Sequence, residues 1–281
     1  MFYMWTRDRI KKEAKSTLRH FGYWTPFLVS LFYAFICGGI SSISSNAGTS
    51  ITSEYTYEYG SDLTATGTLP YMLEEMFGEF GAMIENFFSN PLIAFTTAFI
   101  IVSVLLVSLM VSLAWGFFVT GPIFVGQSRF YMEHRAFGSK FSKVFWCFKS
   151  GRYLNCVKII FLWELKIFLW SLLFYIPGII KSYEYRMVPY ILAENPNIDS
   201  NRAFEISSKM TKGEKWKIFV LDLSFIGWFL LGILTCGIGL FFLEPYIQAT
   251  YAELYQVMRE KAHGLGFADY NELPGFFPEQ K

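Results

Sequence analysis

The sequence predicts an all-α fold: a polytopic transmembrane helical bundle of six spans, paired as three helical hairpins, with amphipathic interfacial helices. Three observations carry this prediction. The chain is 53% hydrophobic and 20% aromatic, with 17% charged residues and a mean hydropathy of +0.33. That is more apolar than a soluble domain of this length requires and enough for several buried spans. Second, the stretch from Ser45 to Pro91 holds no Lys or Arg, although it carries Glu54, Glu58, Asp62, Glu74, Glu75, Glu79 and Glu85. Basic loops stay on the cytoplasmic side, so residues 45–91 are placed outside. Third, the basic residues border apolar stretches instead of forming one stripe, which argues against a nucleic-acid partner despite a net charge of +1.

From the N-terminus, residues 1–22 form a cytoplasmic amphipathic helix, with Trp5, Ile10, Ala14, Thr17, Leu18 and Phe21 on one stripe and Arg7, Arg9, Lys11, Lys12, Lys15 and Arg19 mostly off it. Such a helix either lies on the inner leaflet, attracting anionic lipid, or is a solvated basic helix flanking the first span. The first span, Trp24 to Ser44, leads to the outer loop at 45–91. Within that loop, residues 71–88 place Leu73, Met76, Phe77, Phe80, Ile84 and Phe87 at helical spacing. The second span, Leu92 to Phe118, returns the chain to a basic segment with Arg129, Arg135, Lys140, Lys143, Lys149 and Arg152.

Hydropathy alone reads the remainder as two spans, Val157 to Ile180 and Phe219 to Leu243, for four in all. That reading leaves Arg202, Lys209, Lys212, Lys215 and Lys217 outside. Dividing each region into a hairpin removes the conflict. Val157 to Ile176 then turns at Pro177-Gly178 and returns as Ile179 to Asn195. Trp216 to Leu234 turns at Thr235 to Gly239, through Gly237 and Gly239, and returns as Leu240 to Met258. Residues 259–281 are a cytoplasmic tail, both ends lie inside, and 1–281 is one integral membrane domain of the plasma membrane. Prolines in Gly121-Pro122-Ile123-Phe124, Val188-Pro189-Tyr190-Ile191 and Glu244-Pro245-Tyr246-Ile247 suggest three related hairpins. A cleaved signal peptide is not expected, because charged residues precede the first apolar run and it lacks a small-residue cleavage pattern at its end.

The run Leu169-Trp170-Ser171-Leu172-Leu173-Phe174-Tyr175-Ile176-Pro177-Gly178-Ile179-Ile180-Lys181 resembles an uncharacterised bacterial membrane family, domain of unknown function 975. The likeness continues through Tyr190-Ile191-Leu192-Ala193-Glu194-Asn195-Pro196, Ser208-Lys209-Met210, Gly213-Glu214-Lys215-Trp216, Leu223-Ser224-Phe225-Ile226-Gly227-Trp228, Gly237-Ile238-Gly239 and Pro245-Tyr246. It covers residues 155–258 and is weaker at Ile10-Lys11-Lys12-Glu13-Ala14-Lys15. More remotely, the Pro-Gly turn, with a Glu and an amphipathic Ser/Gly segment after it, is similar to the membrane domain attached to some glycerophosphodiester phosphodiesterases. The resemblance implies a membrane fold and is silent on activity.

An isolated charge at mid-bilayer costs roughly 3 kcal/mol or more, so ionisable groups inside spans are the first functional candidates. These are Arg186, Asp222, Glu164 and Glu184, with Lys166; Lys181 and Glu244 are shallow enough to snorkel outward, and Asp222 and Glu253 lie toward the inner side. Arg186 falls about 12 Å from the turn at Gly178 and so near the midplane. Its expected partner is Asp222 or Glu184 of a neighbouring copy, or an anionic group of a lipid or substrate; an ordinary interhelical ion pair is the plainer reading. Gly121, Gly126, Gly227 and Gly232 are expected to permit close helix approach. No His-Glu-x-x-His, Gly-x-Ser-x-Gly or Walker motif occurs, and His20, His134 and His263 lie far apart. Cys37, Cys147, Cys156 and Cys236 show no metal spacing, and neither a disulfide nor zinc is inferred. No catalytic residue, metal or cofactor is therefore expected. The sequence points to a non-catalytic module handling a small solute, ion or lipid. The alternative is an accessory or scaffold that binds partner proteins, a second copy or anionic lipid headgroups.

Overall fold

A computed structural model describes residues 5–46, 77–79, 81–82, 85, 90–149, 151–235 and 237–276. Every regular element among them is helical. The chain divides into two compact units, Met1–Gly39 with Ala114–Lys281, and Ile40–Leu113. Of the amphipathic helix expected at 71–88, only 77–79, 81, 82 and 85 are described; they are helical and exposed. The rest of the outer loop lies outside the described residues.

In the first unit, α1 (Arg7–His20) begins where the Thr6 side chain accepts from Arg9 N at 3.4 Å. Asp8 in its first turn and Arg19 and His20 in its last complement the helix dipole. Gly22, at φ +92°, lets the chain turn through 105° into α2 (Trp24–Asn46). The apolar stripe of α1 does not face lipid: Trp5, Ile10, Ala14 and Leu18 are buried, and the helix packs along the last long helix, α12 (Ile238–Gly264). Protein, not an inner leaflet, covers that face.

The second unit contains most of α3 (Pro91–Trp115), a helix of 25 residues without one charged side chain. At 1.5 Å per residue it is about 37 Å long, enough to cross a hydrocarbon core. Four of its hydroxyls bond within the helix: Thr96 donates to Leu92 O at 2.9 Å, Thr97 to Ile93 O, Ser103 to Phe99 O at 2.7 Å and Ser108 to Leu105 O at 2.9 Å. The helical run continues through a π turn at Gly116–Thr120 into α4 (Gly121–Phe137).

Around α4 and α12 the first unit builds its core. A 3₁₀ turn (Phe141–Phe145) and α5 (Trp146–Lys149) lead to α6 (Tyr153–Leu173), which forms a hairpin with α7 (Tyr175–Glu184). Then come α8 (Val188–Glu194), α9 (Ser200–Thr211, capped by Asp199), α10 (Lys215–Leu223) and α11 (Ile226–Leu234), the last pairing with α12. Each of the three prolines has an aromatic donor bonded to a carbonyl three or four residues earlier. Proline removes the N–H that would reach the carbonyl four residues earlier, and an aromatic donor takes that carbonyl: Tyr153 Oη bonds Phe118 O near Pro122, and Trp163 Nε1 bonds Tyr185 O at 3.0 Å near Pro189. Near Pro245, Tyr23 Oη reaches the adjacent carbonyl of Phe242.

Helix length does not support six spans. Among the described residues, two helical stretches, Pro91–Phe137 and Lys215–Leu234, are long and apolar enough to cross a membrane, or three if the bent pair Arg7–His20 and Trp24–Cys37 counts as one span. The expected return span at 179–195 is broken by a turn at Tyr185–Met187 into α7 and α8, of ten and seven residues, about 15 and 10 Å. The turn expected at Pro177-Gly178 comes earlier, at Phe174, whose backbone is extended (φ −155°, ψ 139°). Pro177 and Gly178 sit inside the first turn of α7, where Gly178 lies against Ser171 so closely that a β-carbon would overlap it. The turn at Thr235–Gly239 is where the sequence places it, closed by Gly237 at φ +84°, while Gly239 belongs to the first turn of α12. The tail expected from 259 is helical to Gly264 and then folds back, burying Ala268 and Leu273.

Candidate functional site

The break between α7 and α8 places Arg186 where it meets Asp222 of α10 and Tyr251 of α12. Arg186 Nη1 lies 3.0 Å from Asp222 Oδ2, and Tyr183 Oη donates to the same oxygen at 3.0 Å. Tyr251 Oη bonds Asp222 Oδ1 and also contacts Arg186 Nη2. The guanidinium stands 4.3 Å from the centre of the Tyr251 ring. With 29% and 24% of their side chains exposed, Arg186 and Asp222 are half-buried and satisfied within one chain. A neighbouring copy is not needed to answer this cation.

Glu184 is next to this cluster in sequence but faces a different set. It accepts from Lys181 at 2.8 Å, Lys215 at 2.6 Å and Ser208 at 3.1 Å, while its carbonyl takes the hydroxyls of Ser207 and Thr211. These contacts tie α7 to α9 and α10. Glu164 joins neither group: it is exposed on α6, without an ion-pair partner among the described residues. The four candidates thus resolve into one pair, one clamp and one carboxyl apart from both.

Two further carboxylates are buried, Glu194, which escaped the sequence reading, and Glu253, which that reading placed toward the inner side of the last span. Glu194, whose side chain is fully buried, ends α8 and takes Arg259 Nη1 at 3.4 Å, Tyr255 Oη and the backbone N–H of Gly275. Glu253 of α12 pairs with Arg135 of α4 and takes Thr17 Oγ1 of α1 at 3.2 Å. Glu194 comes directly after the apolar run Val188–Ala193, and that position in an otherwise buried helix was the available signal. The Cys147 thiol donates to Cys156 Sγ at 3.1 Å, both side chains being buried, a proximity that spacing alone did not show. Among the described residues no group of three or more His, Cys, Asp or Glu is arranged to hold a metal ion.

Two cavities among the described residues lie elsewhere. An open, almost wholly apolar groove of about 620 Å³ is lined by Thr25, Leu28, Leu31, Phe32, Phe35 and Phe141. A cleft of about 250 Å³ lies between α12 and the folded-back segment, beside Arg259, His263, Tyr270 and Gly275. Arg186 lines neither.

The model of a family described as a protein of unknown function (DUF975) matches residues 4–262. The chain belongs to that family. The match takes in α1, both hairpins and the whole Arg186–Asp222–Tyr251 cluster, so these features belong to the family region, whereas the folded-back segment lies beyond it. Comparison with curated proteins finds no match, and comparison with solved structures finds none either. The likeness to the membrane domain of glycerophosphodiester phosphodiesterases is therefore not shown.

Proposed function

We propose that this chain is a non-catalytic membrane module that works through its surfaces, as a scaffold or accessory for anionic lipid headgroups or partner proteins at the plasma membrane. One observation carries this reading: Arg186, Asp222 and Glu184, three of the four polar groups that could have lined a path for cargo, are consumed by contacts within the chain. The ion pairs link α7 and the turn after it to α10, hydrogen bonds add α9 and α12, and the desolvation is tolerated because each charge keeps a partner. In this reading both termini and the basic segments lie on the cytoplasmic side.

The apolar groove beside α2 favours a second reading, the handling of a lipid chain, because a cavity of about 620 Å³ with almost no polar lining suits an acyl group.

The decisive comparison is a charge exchange. Arg186→Asp and Asp222→Arg should each cost about 2 kcal/mol, the scale of a charged hydrogen bond, and lower the melting temperature in detergent. The double exchange should restore most of that loss and leave the anionic lipid retained in native mass spectrometry unchanged. Restored melting with lost lipid would show that the arginine binds cargo and would contradict the structural assignment.

A further inference from the structure

Two hairpins carry exposed apolar residues in the wrong place for a water-soluble fold, and the charge-free arms of each are shorter than a membrane crossing, although Lys215–Leu234 as a whole, with Asp222 inside it, has the length and hydropathy to cross. Residues 167–180 and 223–243 contain no charged side chain. Leu173, Phe174 and Tyr175 at one tip and Ile233 and Leu234 at the other are largely exposed, Leu234 at 81%. From its last charge, Lys166, to its tip, α6 rises about 10 Å over Ile167–Leu173, and α7 returns about 9 Å over Tyr175–Ile180. In the other hairpin, α11 rises about 13 Å and α12 runs about 9 Å from Ile238 to Leu243, the first of its side chains to be buried. Half of a hydrocarbon core is about 15 Å.

The bases of both hairpins are marked by lysines set over aromatic rings. Lys11 Nζ lies 4.1 Å from the Phe225 ring and Lys15 Nζ 5.5 Å from Tyr246, on either side of the α11–α12 base. Lys166 Nζ lies 3.6 Å from Phe204 and Lys181 Nζ 5.4 Å from Trp170, flanking the α6–α7 base. Ammonium groups above aromatic rings, just where the uncharged stretch ends, are what a phosphate-bearing interface selects.

We infer that the α6–α7 and α11–α12 hairpins are each inserted into a single leaflet of a lipid bilayer, with their tips near its midplane and Lys11, Lys15, Lys166 and Lys181 at the level of anionic headgroups. This rests on the membrane reading above and deepens it, since it names the surface that meets lipid and how far it enters. The Arg186–Asp222 pair then lies at the interface, where its partial exposure costs little. Backbone groups at both tips are satisfied within each hairpin: Phe174 N bonds Trp170 O at 3.2 Å and Gly237 N bonds Gly232 O at 3.0 Å.

The test uses the full-length protein carrying Cys37→Ser and Cys236→Ser, with one cysteine introduced as Leu173→Cys or Leu234→Cys, in vesicles of phosphatidylcholine and phosphatidylglycerol. Ile101→Cys on α3 and Lys212→Cys serve as lipid and water controls. Elution from a sizing column in detergent checks folding, and Leu230→Cys replaces Leu234→Cys if the latter fails. Both tips should lose all reaction with a membrane-impermeant maleimide from either side of the vesicle. A nitroxide there should collide freely with oxygen and not with a water-soluble nickel complex. Reaction from the side opposite Lys212 would mean a full crossing, and reaction from the same side would mean no insertion. Low collision with both oxygen and nickel would mean that protein, such as a second copy, covers the tips. Each of these outcomes overturns the inference, and if Ile101→Cys also reacts with the maleimide, the membrane reading itself has failed.

Discussion

Among single residues, close packing singles out Gly126 most sharply. A β-carbon there would overlap the carbonyl of Val144, a backbone atom of the 3₁₀ turn that cannot swing aside. Gly126→Ala should therefore destabilise the protein by about 1–3 kcal/mol. Gly227→Ala, where nothing lies within 4 Å of the added carbon, should be neutral or gain up to about 1 kcal/mol in helix propensity. Thermal melts of the two variants in detergent check both; equal losses would remove the packing argument. Both glycines look alike in the sequence, because small residues on apolar helices announce the possibility of close approach and not the neighbour. The same holds for Arg186: its apolar surroundings identified it as a charge needing an answer, and Asp222 was among the partners named. Tyr183 and Tyr251, which complete the cluster, could not be picked out of a chain with 17 tyrosines.

Among elements, helices were legible wherever apolar runs were long, and their breaks were legible only where a residue enforces them. Gly237 needs its positive φ and marks its turn. Phe174 turns the chain with no such demand, while Pro177 and Gly178, three and four residues later, fit a helix start just as well as a turn. The fate of the α1 stripe was equally open, since a helix with one apolar face buries it against lipid or protein by the same physics. The segment after Gly264 was least legible, because it is held by side-chain contacts instead of periodicity. Arg202 grips it, bonding Glu272 at 2.6 and 3.0 Å and Phe267 O at 2.8 Å, and also pairs with Glu205 at 2.8 Å. Hydrogen bonds from Lys209 and Arg202 hold the Glu205 carboxyl down to about 2, and Arg202 lowers that of Glu272. A carboxyl depressed in the folded state adds stability that is complete above its unfolded value of about 4.3 and is lost as pH falls through its folded value. Melting temperature should therefore hold from neutrality to about pH 5 and decline below it. Arg202→Gln should flatten that decline; an unchanged decline would show that other groups cause it.

Across the whole molecule, charge and apolar surface are sorted. The first unit packs its ion pairs, Glu194 with Arg259 and Glu253 with Arg135, into a buried core around α4 and α12, and it leaves the hairpin tips bare of charge. The second unit exposes α3 along its length. A monomer in water rarely exposes more than a few hundred Å² of contiguous apolar surface, and the proposed membrane setting would cover this helix with lipid. Composition made the long apolar helices legible at once; the number of crossings was not, because hydropathy measures how apolar a stretch is and not whether lipid or protein covers it. The most direct measurement is the partition of full-length protein between pellet and supernatant after membranes are washed with high salt and then alkaline carbonate. The protein is expected to remain entirely in the pellet and to enter solution only with detergent. Recovery as a monodisperse species in the detergent-free supernatant would contradict the account.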